Sequence, residues 1–145
     1  MVLTSFKIIG VEILQKPVIK AIPKSVATKL DWDCTPEYQI GLNDNDDTIL
    51  KVAIGITRMN DDKQYSFISR TSFELVFATK DTTPSTEDDF FKYAFFTMIA
   101  LDHARVQLQY ELKDTPFAED LLPQDTIERL MEKTKLALSL RDSNN

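Results

Sequence analysis

The side chains that most often do covalent or metal chemistry are sparse in this chain, and none has the company it needs. Cys34 is the only cysteine and His103 the only histidine. A thiol becomes a nucleophile when a neighbouring base or cation lowers its pKa. No His–Asp pattern accompanies Cys34, which reads as a small buried apolar residue. A zinc site needs several His or Cys ligands at short spacings, so His103 reads as a surface or interface residue. The run Asn43-Asp44-Asn45-Asp46-Asp47 offers oxygens as a calcium loop does, but it has no glycine at the bend and no closing glutamate. It reads as a hairpin turn, because Asn and Asp tolerate the left-handed region and bond to nearby backbone. Ser66, Ser69 and Ser72 fall in a strand-like stretch without the elbow that presents a catalytic serine. Only three glycines are present, which leaves no glycine-rich loop for phosphate. The expectation is a protein without catalytic residues, metal or cofactor.

What the chain does offer is apolar surface. Tyr65, Phe67, Thr71, Phe73, Leu75 and Phe77 fall on one side of a period-two pattern. That is more than one hairpin can hide. Shortly after it, Phe90, Phe91, Tyr93, Phe95 and Phe96 crowd the first turns of a helix. So much aromatic surface without a catalytic motif points to binding rather than reaction.

The elements that must position these residues follow from the spacing of apolar positions. Phe6, Ile8, Ile9, Val11 and Ile13 predict a first strand with an irregularity near Gly10. Pro17, Pro23 and Pro36 then punctuate a segment better read as an extended crossover than as central strand, because proline cannot donate to a ladder. Ser25 to Leu30 is a stretch of it able to pair at a sheet edge. Tyr38, Ile40 and Leu42 predict a second strand. Leu50, Val52, Ile54 and Ile56 predict a third, with Ala53, Gly55 and Thr57 on its other face. A turn at Asn60-Asp61-Asp62-Lys63 leads to a fourth strand from Tyr65 to Thr79.

Ser85 with Asp88 then resembles a capping pair, and Glu87, Asp88 and Asp89 suit a helix start. This helix is expected to run to about Leu112. Ala94, Met98, Leu101, Arg105 and Leu108 lie near one face, and Phe91, Phe95 and Ile99 form a second apolar stripe. A helix apolar over so wide an arc needs cover on two sides: one is the sheet, and the other is expected to be a partner subunit. Pro123 leads a last helix with Ile127, Leu130, Met131 and Thr134 along a face, before a polar tail from Arg141 to Asn145. Four strands followed by two helices make an α+β arrangement, a four-stranded antiparallel sheet with a long crossover after the first strand and helices on one face.

Composition narrows the partners. At 145 residues, 43% of them hydrophobic, the chain is expected to form one domain with a real core. Its net charge of −6 and scattered Lys and Arg argue against nucleic acid, which needs clustered cations to release counterions. A single cysteine cannot form an internal disulfide, and the start of the chain lacks a signal peptide's basic and apolar regions. A reducing, cytoplasmic setting is the simpler expectation. No apolar run approaches the ~20 residues that cross a bilayer, so no membrane insertion is expected.

One stretch carries a resemblance. Leu30-Asp31-Trp32-Asp33-Cys34-Thr35-Pro36-Glu37-Tyr38-Gln39-Ile40-Gly41-Leu42 is similar to the Asp-Trp, then Pro-Glu, then alternating strand of the SecB family of protein-export chaperones, with two residues inserted between Trp and Pro. Ala104-Arg105, Thr115-Pro116-Phe117 and Leu121-Leu122-Pro123 resemble that family's Tyr-Ala-Arg, its Phe-Pro loop and its Leu-x-Pro before the last helix. Departures occur at Pro123-Gln124-Asp125-Thr126-Ile127 and at Lys113-Asp114-Thr115. The family's basic, glycine-rich tail, which contacts the translocase motor, has no counterpart at the end of this sequence.

The resemblance implies the α+β fold already read from the pattern. It also implies an ATP-independent holdase for non-native polypeptides, working in protein export as a homodimer or homotetramer with the long helices at the interface. Relatives of this fold serve as dedicated chaperones of antitoxins, a role that needs no motor tail. The resemblance places Trp32 in a client groove, where the bland alternative is a core tryptophan pinning the crossover to the sheet. Tyr38 and Met131 are further candidates for the groove wall. Phe91, Phe95 and Ile99 are the candidates for the oligomer interface.

Overall fold

The computed structural model describes residues 2–16, 31–60, 63–78, 86–114 and 127–143. Four strands come first: β1 (Leu3–Gln15), β2 (Asp31–Leu42), β3 (Thr48–Asn60) and β4 (Lys63–Phe77). Two helices follow, α1 (Glu87–Leu112) and α2 (Ile127–Ser143). The strands form one antiparallel sheet in the order β1-β4-β3-β2. The first two strands in sequence are therefore the two edges. The expected α+β arrangement is what the chain adopts. The Ser25–Leu30, Pro17, Pro23 and Pro123 expectations fall outside the described residues.

Alternation sets the faces of the central strands. Leu50, Val52, Ile54 and Ile56 of β3 are buried, as are Phe67, Ser69, Thr71, Phe73 and Leu75 of β4. The residues between them, such as Ala53 and Arg70, face the other way and are half-exposed. At the β2–β3 turn, Asn43 Oδ1 accepts from the backbone of Asn45 and Asp47, both at 2.9 Å. Asp46 takes a positive φ of 62°, the left-handed conformation that Asp tolerates better than most residues.

β2 begins earlier than Tyr38, where the apolar alternation starts. It runs from Asp31 and includes Pro36, opposite Ile54. An edge strand is hydrogen-bonded on one side only, so proline is tolerated there.

α1 lies over β3 and β4, and α2 packs against α1 and β2. α1 starts one residue later than the sequence pattern suggests. Thr86, not Ser85, is the cap: its hydroxyl accepts from Asp89 N at 3.2 Å, while Asp89 Oδ2 accepts from Thr86 N at 3.3 Å. With the helix phase fixed by the buried Tyr93, Phe96 and Ala100, Asp89 rather than Asp88 falls at the third helical position. The end at Leu112 is where the pattern places it. α2 continues to Ser143, so Arg141, Asp142 and Ser143 close the helix rather than begin a tail. Neither described helix is long and apolar enough to cross a membrane.

Candidate functional site: a bare flank and a closed flank

The sheet's two edges are treated differently by the helices. On the β2 side, Tyr38 is only 8% exposed. Its hydroxyl lies 2.5 Å from Thr97 Oγ1 of α1 and 2.9 Å from Thr134 Oγ1 of α2. Thr97 also reaches the Tyr93 carbonyl at 2.9 Å, and Thr134 the Leu130 carbonyl at 2.6 Å. Three hydroxyl protons thus serve four contacts. Thr97 and Thr134 each donate to the carbonyl one turn earlier in their own helix, so the single Tyr38 proton is left to donate to the threonine oxygens that flank it. Burial pushes the Tyr38 phenol above its usual value of 10.0, with the two threonine hydroxyls pulling the other way. Lys133 Nζ donates to the Cys34 carbonyl at 3.0 Å, and Lys135 pairs with Glu87 at 2.5 Å. These contacts, with buried Leu130 and Leu138, fasten α2 over β2.

Among the described residues, the β1 side has no such cover. Leu3, Phe6, Ile8, Val11 and Ile13 pair with Phe77, Leu75, Phe73, Thr71 and Ser69 of β4. Directly opposite residues share a face, so these side chains stand on the helix side of the sheet. Their spacing alternates between three and two, which a regular strand cannot keep on one face. Register shifts between Leu3 and Ser5, Ile8 and Gly10, and Ile13 and Gln15 absorb the extra residues as bulges. Yet Phe6, Ile8 and Val11 remain exposed, as do Ile9 and Leu14 within the bulges.

α1 meets β1 near its two ends. The Phe6 ring sits edge-on to Phe96 at 5.1 Å and Phe95 at 6.1 Å, and Lys16 pairs with Glu111 at 3.7 Å. On the opposite face of the sheet, Lys7–Glu74 and Arg70–Glu12 ion pairs tie β1 to β4.

Contact between Phe6 and Phe95 carries the apolar surface from β1 onto the outer face of α1. Phe91 is 49% and Phe95 41% exposed, and Met98, Val106 and Tyr110 continue the ridge. Ile99 is partly buried against the core. The stripe of Phe91, Phe95 and Ile99 expected from the sequence thus lies beside the bare strand, as an uncovered surface of the single chain. Met131 is partly buried against the core. Trp32 stands in β2 opposite Arg58, and its side chain lies outside the described residues. Tyr38 belongs to the packing of β2 with both helices, so any contact between it and a client requires α2 to lift away.

Among the described residues, no group of three His, Cys, Asp or Glu is placed to hold a metal ion. No protein-family model matches the chain, and no curated protein matches it by sequence. Its architecture does have a solved counterpart. The SecB-like chaperone Rv1957 of Mycobacterium tuberculosis, determined in complex with a ChAD peptide from the antitoxin HigA1 (Rv1956), superposes with a TM-score of 0.50 at 15% identity, over 83% of this chain and 90% of that one. The chain has a SecB-like fold. At that identity the likeness speaks for the shared sheet and helices and not for any residue's role.

Proposed function

We propose that this chain is a SecB-like chaperone, an ATP-independent holdase that keeps apolar segments of non-native polypeptides from aggregating. The observation that carries the reading is the bare flank. A long edge strand with exposed Phe6, Ile8, Ile9, Val11 and Leu14 runs beside an exposed aromatic ridge on α1. The free side of an edge strand presents unpaired N–H and C=O groups that pair with any extended chain, whatever its sequence. Each client side chain buried there contributes about 1.5–3 kcal/mol before ordering costs. Aromatic rings hold such side chains at low entropic cost because they have few rotors. Self-association of this chain would multiply the sites and raise avidity without new contacts. No nucleotide, catalytic residue or metal enters this account, and the cytoplasm is the compartment proposed for it.

The alternative is a chaperone dedicated to one partner, such as an antitoxin. It draws support from the antitoxin peptide present in the Rv1957 complex.

The test is light scattering from several unrelated denatured proteins diluted with and without this chain, in the absence of nucleotide. Suppression near stoichiometric amounts for all of them supports the general holdase. No suppression by folded protein, together with capture of one cellular partner from its own cytosol, replaces it with the dedicated reading. Failure of both removes the chaperone function altogether.

A further inference from the structure

The side of β2 turned away from β3 is stopped at two neighbouring rungs. In an antiparallel ladder a residue either exchanges both backbone bonds with the residue opposite or points both groups away. Cys34 and Pro36 lie opposite Ile56 and Ile54 of β3, so they share one phase of that ladder. Lys133 of α2 donates to the Cys34 carbonyl at 3.0 Å, and Pro36 has no N–H to give to β3. Both facts put the backbone groups of this phase on the side away from β3. A strand arriving there would bond at every second residue, the set that holds Cys34 and Pro36. At Pro36 it meets no donor. At Cys34 it competes with an ammonium, which makes a stronger bond than a neutral amide does, and covering that ammonium would strip its water. Thr134, next to Lys133 in sequence and 2.9 Å from the Tyr38 hydroxyl, holds α2 where the lysine can reach.

We infer that Pro36 and Lys133 close the β2 edge to strand addition, so that the sheet cannot be extended from that side. The consequence concerns assembly. β1 has no proline from Leu3 to Gln15 and exposes Phe6, Ile8, Ile9, Val11 and Leu14, the kind of long apolar edge that recruits other strands. If the β2 edge were open as well, the β1 edge of one copy could pair with the β2 edge of the next. Such a contact joins two different surfaces, leaves one of each exposed and repeats without end. Closing β2 removes this open-ended mode while leaving the β1 flank bare. The guard is mounted on a helix, so the side chain that ties α2 to β2 also shields the strand. The inference does not depend on what the bare flank binds.

Opening the edge tests the inference. Pro36→Val restores an N–H with a side chain of similar size, and Lys133→Met keeps the apolar stem while removing the donor. Circular dichroism and urea unfolding check that the variants fold. The chain carrying both changes is expected to form elongated assemblies whose mass by sedimentation keeps rising with concentration, while the parent stays at a finite size. The restored rungs should strengthen edge addition roughly tenfold or more, and Pro36→Val alone should show part of that gain. Ile8→Lys with Val11→Lys, added to the opened chain, puts charge along the β1 edge and should return it to finite size. A folded double variant with the parent's mass overturns the inference. Growth that survives the β1 lysines also overturns it, because the contact is then not edge to edge, and so does open-ended growth of the parent. If the double variant does not fold, Pro36→Val decides alone: a folded chain of unchanged mass at every concentration overturns the inference.

Discussion

The two edges of one sheet have opposite fates. β2 carries a proline, a buried tyrosine and a hydroxyl chain, and two helices close over it. β1 carries five exposed apolar side chains and three bulges, and α1 touches it near its ends. Polar groups are thus buried and satisfied on one side, while apolar groups are left in water on the other. Hydrophobicity alone would predict the reverse. The difference separates two jobs: the β2 flank holds the fold together, and the β1 flank is free to bind. Substitutions on the closed flank should therefore cost stability, and those on the bare flank should cost binding.

The largest effect is expected at the centre of the closed flank. Tyr38→Ala removes a buried ring and should cost about 3–5 kcal/mol in urea unfolding. A loss under about 1 kcal/mol would show that α2 is not fastened through it.

The hydroxyl chain gives a finer test. Thr97→Val or Thr134→Val alone leaves Tyr38 one partner, so each should cost only about 1 kcal/mol. Together they strand a buried phenol hydroxyl. The double variant should lose about 1–3 kcal/mol more than the two losses combined. Simple additivity in the double-mutant cycle would mean that Tyr38 finds water or another acceptor.

The bare flank should behave in the opposite way. Ile8→Ser and Val11→Ser, at half-exposed positions, should each lower stability by less than about 1 kcal/mol. Combined, they should weaken client binding roughly tenfold, as about 1.4 kcal/mol of lost apolar contact would. Unchanged binding measured by fluorescence anisotropy with a labelled unfolded client would move the client surface off β1.

The smallest effect is alkaline. Burial raises the Tyr38 pKa, so the folded state holds this proton more tightly than the unfolded chain does. Its contribution to stability is complete below about pH 10 and is lost as the pH climbs through the raised folded value. Spectrophotometric titration of the wild type should therefore show a late phenol ionisation that Tyr38→Phe removes. A Tyr38→Phe variant that keeps the late step would assign it to another tyrosine.

Much of this contrast was legible in the sequence, and the rest was not for physical reasons. β3, β4 and α1 declare themselves because Leu50 to Ile56, Phe67 to Leu75 and Tyr93 to Leu112 keep one period against one buried surface. The apolar stripe at Phe91 and Phe95 was visible too, as more surface than one sheet can cover. The start of β2 was hidden because Pro36 looks like a strand breaker until the strand is known to be an edge. The helix cap was displaced by one residue because Ser85 and Thr86 offer the same hydroxyl, and only the burial phase of Tyr93 and Phe96 chooses between them.

The bareness of β1 has no local signal. Phe6, Ile8 and Val11 read as core, and only the position of α1 over β3 and β4 leaves them exposed. Thr134 was legible as part of the face of the last helix with Leu130 and Met131, but neither it nor Thr97 announces a hydroxyl partner until a tyrosine from another element meets it. The bulges left a partial trace, as the irregularity at Gly10 and the three-and-two spacing from Leu3 to Ile13.

Hydrogen exchange with and without a bound unfolded client tests the central claim most directly. The account predicts added protection in β1 from Leu3 to Gln15, with β2 and α2 unchanged. Protection confined to β2 and α2, around Trp32, Tyr38 and Met131, would contradict it and place the client beneath a lifted α2.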